Sequence, residues 1–284
     1  MPEIELSAGP IHYRDTGGAG PVLVFGHGVP MDGRQWRKVV PLLDGYRCVL
    51  PTLPFGGHRR PMRPDADLSH RGVARLLGEF TERLGLDDVT LVLNDWGGGQ
   101  FLVLEEGHRV ARMVLVACEA FDNFPPGPAR VPAAVCKVPG GAWLLARLMR
   151  VPSIRNGRRG YGGLSLRGVP DEIMDDWFTP IARNGDVRRD FARFATSAPG
   201  RKTLLDWSGR LRSFDGPVLV VWATEDPLMP REHGPRLAGL YPEGRLVEIG
   251  DSSTLVPEDQ PERLAEAITD FLTRTGAEPV RRTA

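Results

Sequence analysis

The chain has 284 residues, zero formal net charge at pH 7 and three cysteines. That length can bury a large core as one α/β unit with an insertion. Zero net charge offers no field for nucleic acid or an acidic membrane surface, and three cysteines without CxxC spacing make neither a disulfide frame nor a zinc finger. Reduced thiols, a cytoplasmic location, no metal and no cofactor are therefore expected. No apolar run reaches about 18 residues, and the first ten residues have no charged-then-apolar leader, so no membrane span and no signal peptide are expected.

In chain order, residues 4–7 and 11–15 alternate around Ala8-Gly9-Pro10 and predict an opening hairpin. Continuous apolar runs at 22–25, 48–50, 89–93, 113–117, 218–222 and 246–249 predict strands buried on both faces. Between them, 69–84 reads as a helix capped by Ser69, with Val73, Leu76, Leu77, Phe80 and Leu84 on one face. The last helix spans 259–274; Asp259 and Glu262 match a capping box, and Leu264, Ala267, Ile268 and Phe271 form its stripe. Strands alternating with helices predict a mostly parallel sheet with helices on both faces. Residues 121–213 break that rhythm with paired prolines, glycines and aromatics, which predicts an inserted helical cap. The core is then 1–120 and 214–275, and 276–284 is a flexible tail.

The segment with most chemical content is Leu91-Val92-Leu93-Asn94-Asp95-Trp96-Gly97-Gly98-Gly99. A strand ends in a polar residue before glycines and a helical stretch at 100–107, the context of a nucleophile elbow. A carboxylate nucleophile narrows the chemistry. On an acyl carbon it would form an anhydride; on a saturated carbon it forms an ordinary ester, while halide or an epoxide oxygen leaves.

His27-Gly28-Val29-Pro30, Asn94-Asp95-Trp96-Gly97-Gly98, Glu225-Asp226-Pro227 and Glu258-Asp259-Gln260-Pro261 occur in an order that resembles the α/β-hydrolase superfamily. The Asp-Trp-Gly elbow is similar to its epoxide hydrolase and haloalkane dehalogenase branch. The resemblance implies an α/β-hydrolase fold with an inserted cap and a small-molecule substrate. It makes Asp95 the nucleophile, its ionised form favoured by the following helix N-terminus. It places the backbone N–H groups of Val29 and Trp96 in an oxyanion hole, the Trp96 indole at the leaving group, and His27 in a structural turn. Asp226 matches the triad acid, and Glu119 the alternative acid position.

The chain departs from that pattern at three places. The family His falls at Thr254, which cannot deprotonate water near neutral pH. Leu93 stands where a small residue is preferred and is expected to crowd the elbow. Val29 replaces the Asn with which one dehalogenase subgroup grips halide. Of the other histidines, His58 lies on a loop at a strand's C-terminal end and is the candidate substitute base; His12, His70, His108 and His233 read as solvated surface. Three functions stand side by side: an epoxide hydrolase with Tyr161 as proton donor from the cap; a haloalkane dehalogenase with Trp143 or Trp177 as second halide donor; or a non-hydrolytic cyclase, isomerase, lyase or ligand-binding protein.

Overall fold

The computed structural model describes residues 1–158 and 160–280. β1 (Glu3–Leu6) and β2 (Gly9–Asp15) form the hairpin; β3 (Val22–Phe25), β4 (Arg47–Pro51), β5 (Val89–Asp95), β6 (Val110–Cys118), β7 (Val218–Ala223) and β8 (Gly244–Ile249) complete one eight-stranded sheet in the order β1-β2-β4-β3-β5-β6-β7-β8. β2 pairs antiparallel with β4, and from β4 onward every pairing is parallel. Each apolar run in the sequence is therefore a strand; β3 to β7 are largely buried, whereas β8, at the sheet edge, exposes Arg245 and Glu248 and buries only Ile249. α1 (His70–Arg83) buries Val73, Leu76, Leu77 and Phe80 on one face, and Ser69 Oγ caps it by accepting from the Gly72 N–H at 3.0 Å. α10 (Pro261–Arg274) buries Leu264, Ile268, Phe271 and Leu272 against the other face. α8 (His233–Ala238) links β7 and β8, and the one-turn α9 (Val256–Asp259) precedes α10.

The chain crosses from β4 on one side of β3 to β5 on the other. That places the C-terminal ends of β3 and β5 side by side, and the Gly26 N–H donates to the Val92 carbonyl at 2.8 Å. Such a switch point is where open α/β sheets hold ligands. Between β6 and β7 the described residues contain α2 (Arg130–Cys136), α3 (Gly141–Leu148), α4 (Pro152–Arg155), α5 (Asp171–Arg183), α6 (Gly185–Ala195) and α7 (Arg201–Arg210), and no strand. These helices have an apolar cluster of their own, Ala146, Leu164, Met174, Trp177, Phe178, Ile181 and Val187, which continues onto Met31 and Leu255 of the sheet layer.

Two sequence expectations are corrected. Asp259 does not cap the last helix; its carboxylate accepts from Ser165 Oγ at 2.6 Å, Ser253 N at 2.9 Å, and Leu166 N and Arg167 N at 3.0 Å. It ties the inserted helices to the loop that carries Thr254. The tail is anchored as far as it is described: Ala277 is buried and the Val280 N–H donates to the Gly45 carbonyl at 3.0 Å, while 281–284 lie outside the described residues. Asp259→Ala should remove the shared acceptor of four donors, two of them on the buried residues Ser165 and Ser253, and lower stability by about 3 kcal/mol, more than a typical surface change. Urea unfolding checks this; a loss under about 1 kcal/mol would show that the tie is dispensable.

Candidate functional site

Asp95 is the last residue of β5 and has φ +66°. The Trp96 N–H donates back to the Asn94 carbonyl at 2.9 Å, so the chain turns within three residues about Asp95. Such a left-handed centre costs roughly 1–3 kcal/mol for a non-glycine residue. Glycine makes the close approach possible, because a Cβ on Gly28 would lie 2.1 Å from Asp95 Oδ2. The crowding expected from Leu93 is relieved in the same way. Its methyl carbons occupy the space of absent side chains, 2.5 Å from a Cβ on Gly26 and 2.8 Å from one on Gly99.

A buried polar chain holds the turns together. Gly28 N–H donates to Gln35 Oε1 at 2.7 Å, Gln35 Nε2 donates to Asn94 Oδ1, and Asn94 Nδ2 donates to the carbonyls of Val116 and Thr254, each at 2.7 Å. His27 joins two backbone turns: its Nε2 accepts from Leu53 N at 2.8 Å, and its Nδ1 pairs with the Gly28 carbonyl at 2.9 Å. Burial pushes its pKa down to about 4.

Above the elbow lies a cavity of about 310 Å³, lined by Val29, His70, Asp95, Trp96, Glu119, Tyr161 and many apolar side chains of the inserted helices, among them Phe178, Ile181, Phe191 and Phe194. The Val29 N–H faces Asp95 Oδ2 at 3.4 Å. Burial pushes the Asp95 carboxyl up to about 7, against the pull of that N–H and helped by the charge of Asp226. The expected dominance of the helix N-terminus is thus reversed, because desolvation outweighs it. Burial, then the neighbouring Asp95, holds Glu119 well above the usual carboxylate range. The same two causes raise the Tyr161 phenol, whose OH donates to the Val29 carbonyl at 2.5 Å.

Beside this cavity, Asp226 Oδ1 accepts from the Thr254 hydroxyl at 2.9 Å and from the N–H groups of Leu228 and Met229 at 2.8 and 3.2 Å. Its Oδ2 is buried with no partner, and burial brings its pKa to about 6.

Several side chains lie elsewhere than the sequence suggested. His58 is not brought to Asp95: its Nδ1 accepts from Gly56 N at 3.2 Å and its Nε2 pairs with Asp190 at 3.4 Å. Trp177 is buried, but its indole donates to Asp32 Oδ1 at 3.0 Å; Trp143 is half exposed and stacks under Arg147. Neither lines the cavity. The Trp96 indole donates to His70 Nδ1 at 3.3 Å. His70 is not on the surface but buried in the cavity wall, and His233 is buried against Phe121. The Trp96 backbone N–H serves the elbow turn, leaving Val29 as the backbone donor on Asp95.

A model of a family described as the alpha/beta hydrolase family matches residues 23–267. Among curated proteins, haloalkane dehalogenase 2 of Mycobacterium tuberculosis is 28% identical over 94% of this chain and 92% of its own length. A 2-hydroxy-6-oxononadienedioate/2-hydroxy-6-oxononatrienedioate hydrolase of Burkholderia vietnamiensis is 26% identical over 93% and 91%. Among solved structures, haloalkane dehalogenase DbeA from Bradyrhizobium elkani superposes with a TM-score of 0.77 at 19% identity, covering 96% of this chain and 97% of that one. A thermophilic esterase from Thermogutta terrifontis gives 0.71 at 21%, covering 97% and 99%. These structural likenesses confirm the α/β-hydrolase fold.

The raised Asp95 carboxyl makes stability pH-dependent. Its contribution is fully present below the unfolded value of 3.8 and is lost as the pH rises through about 7. Allowing for water admitted by the cavity, the loss is on the order of 2 kcal/mol. Asp95→Asn removes the titration, so it should raise the melting temperature relative to the parent at pH 8 and not at pH 4.5. Equal shifts at both pH values would show that the carboxyl is not desolvated.

Proposed function

Because the chain belongs to the alpha/beta hydrolase family, we propose that it hydrolyses epoxides or related carbon electrophiles through an alkyl ester on Asp95. One observation carries this reading: a carboxylate on a left-handed strand-end turn, faced by the Val29 N–H, opens on a mostly apolar cavity. In the first step an Asp95 oxygen bonds to a ring carbon of the epoxide and the carbon–oxygen bond breaks. The electron pair goes to oxygen, which takes its proton from Tyr161. The negative charge then passes from Asp95 to the Tyr161 oxygen, so the cavity's charge is unchanged. Burial returns the Tyr161 oxygen to its neutral form with a proton from solvent. In the second step water adds to the ester carbonyl, the Val29 N–H stabilises the oxyanion, the diol departs, Asp95 regains its charge, and the released proton goes to solvent.

The second step has no ordinary base. Thr254, which we place at the position of the family His, donates to Asp226 and has no proton affinity to offer water near pH 7. The unpartnered Asp226 Oδ2 is the acceptor that an imidazole N–H would satisfy. Ester formation is therefore intact and ester release slow. Dehalogenation draws on the names of relatives such as that of Mycobacterium tuberculosis. The indoles considered as halide donors speak against it, since Trp96 is bonded to His70, and Trp143 and Trp177 do not line the cavity.

Incubation with styrene oxide, followed by intact mass and peptide mapping, should show one adduct on Asp95, forming faster as the pH rises through about 7 because only the carboxylate attacks. Asp95→Asn should give none. If neither epoxides nor haloalkanes label Asp95, the ester mechanism is wrong and a non-hydrolytic role takes its place.

Thr254→His should speed release of the adduct by about 10²–10⁴, the usual worth of general-base help. Single-turnover decay of the isolated adduct measures it. Rapid multiple turnover in the parent protein would mean that another base is already in place.

A further inference from the structure

His70 is the first residue of α1, behind the Ser69 cap, and nothing about that position marks it as more than a helix start. In the fold it is buried in the wall of the cavity that Asp95, Trp96 and Glu119 also line. Its ring is fixed on three sides. Phe194 lies with its centroid 4.7 Å away at 45°, Phe124 stands edge-on at 5.5 Å, and the Trp96 indole N–H donates to Nδ1 at 3.3 Å.

That last bond decides the tautomer. An indole N–H only donates, so Nδ1 presents its lone pair and the proton of the neutral ring sits on Nε2. Burial keeps the ring neutral, bringing its pKa down to about 4. Among the described residues, its one side-chain hydrogen bond is the one to Trp96, and Nε2 is not among the polar atoms sealed in the protein without a partner. A neutral N–H on a ring that lines the cavity, one residue's bond away from the nucleophile, is a donor without an acceptor. It is not a base for water: Nε2 already holds its proton, and the Nδ1 lone pair is taken.

We propose that His70 is the leaving-group donor of this site: its Nε2–H hydrogen-bonds the oxygen that leaves carbon as Asp95 attacks. The inference rests on the alkyl-ester reading above. Carbon–oxygen cleavage puts negative charge on that oxygen; the imidazole stabilises it without giving up its proton, which comes from Tyr161. A neutral imidazole acting as an electrophile is known chemistry. The indole of Trp96 then acts through His70, by holding the ring and polarising Nε2–H.

Two measurements test this. In ¹⁵N-labelled protein, with His70→Phe used for assignment, His70 should show a protonated Nε2 and an unprotonated Nδ1 from pH 6 to 8. Addition of 2-phenyltetrahydrofuran, an unstrained ether that accepts but does not open, should shift the Nε2–H signal. A protonated Nδ1, or no shift with saturating ether, overturns the proposal whether or not Asp95 is ever labelled. In the second, ester formation with styrene oxide should slow by about 10²-fold in His70→Phe, as for removal of one oxyanion donor, while decay of the isolated adduct is unchanged. His70→Gln, which keeps an N–H donor, should recover part of that rate. An unchanged rate of ester formation in His70→Phe overturns the role of His70 and leaves the Asp95 reading intact. No labelling in the parent protein overturns the Asp95 reading, and the ether titration then decides for His70 alone.

Discussion

The site depends on one buried amide pair. Asn94 sits at the end of β5 with no exposed surface, and its side chain contacts three other segments at once: Gln35, the β6 carbonyl of Val116 and the carbonyl of Thr254. Gln35 passes the constraint on to Gly28. The turn after β3, the elbow and the loop bearing Thr254 are thus held in register by side-chain amides in a dry interior, where each lost partner would leave an unsatisfied group costing about 1–3 kcal/mol. The left-handed conformation of Asp95 persists because these bonds over-determine it. An apolar residue at 94 would satisfy the strand pattern equally well and release all three turns.

The sheet was legible because its signal is continuous. Each apolar run is a strand, and both sheet-covering helices show their stripes in the expected places. The elbow was legible from the sudden change from apolar run to Asp-Trp-Gly-Gly. What escaped was set by tertiary contact. His70 follows a good N-cap on an amphipathic helix, a pattern that reads as solvated surface, and becomes buried only because Phe124 and Phe194 close over it. Trp177 and Trp143 had no local signal to say which way the inserted helices turn. Asp259 matched a capping box, yet the charge-assisted bonds from four donors on other segments outweigh a single cap. Gln35 could have been suspected only as an amide seven residues beyond a glycine turn, a spacing too common to single out.

Leu93 shows how a departure from a family pattern can be absorbed. A bulky residue two positions before the elbow should push the turn apart, yet the displaced volume is taken up by Gly26 and Gly99, both of which lie against its methyl groups. Substitution and compensation are on different strands and turns, so the elbow backbone keeps its left-handed centre. A sequence motif judged position by position misses this, because what is retained is the packed volume.

The electrostatics divide the chemistry into an equipped half and an unequipped one. The cavity favours neutral groups: Asp95, Glu119 and Tyr161 are all pushed towards protonation by burial. A single negative charge there is costly, so on the proposed reading the carboxylate of Asp95 is a better nucleophile than it would be in water, and hydrogen-bond donors stabilise the charge that develops on the leaving oxygen before Tyr161 protonates it. The proposed ester formation therefore draws on the same desolvation that destabilises the folded protein at high pH. Ester hydrolysis does not, because it needs a group that gains a proton within reach of water. Asp226, with its pKa near 6, lies in the right layer but turns Oδ1 to Thr254 and leaves Oδ2 sealed. On the proposed reading the threonine stands in the place of a base; its hydroxyl donates to Asp226 and has no proton affinity to offer water near neutral pH, so Asp226 stays engaged in structure and away from the water that a second step requires.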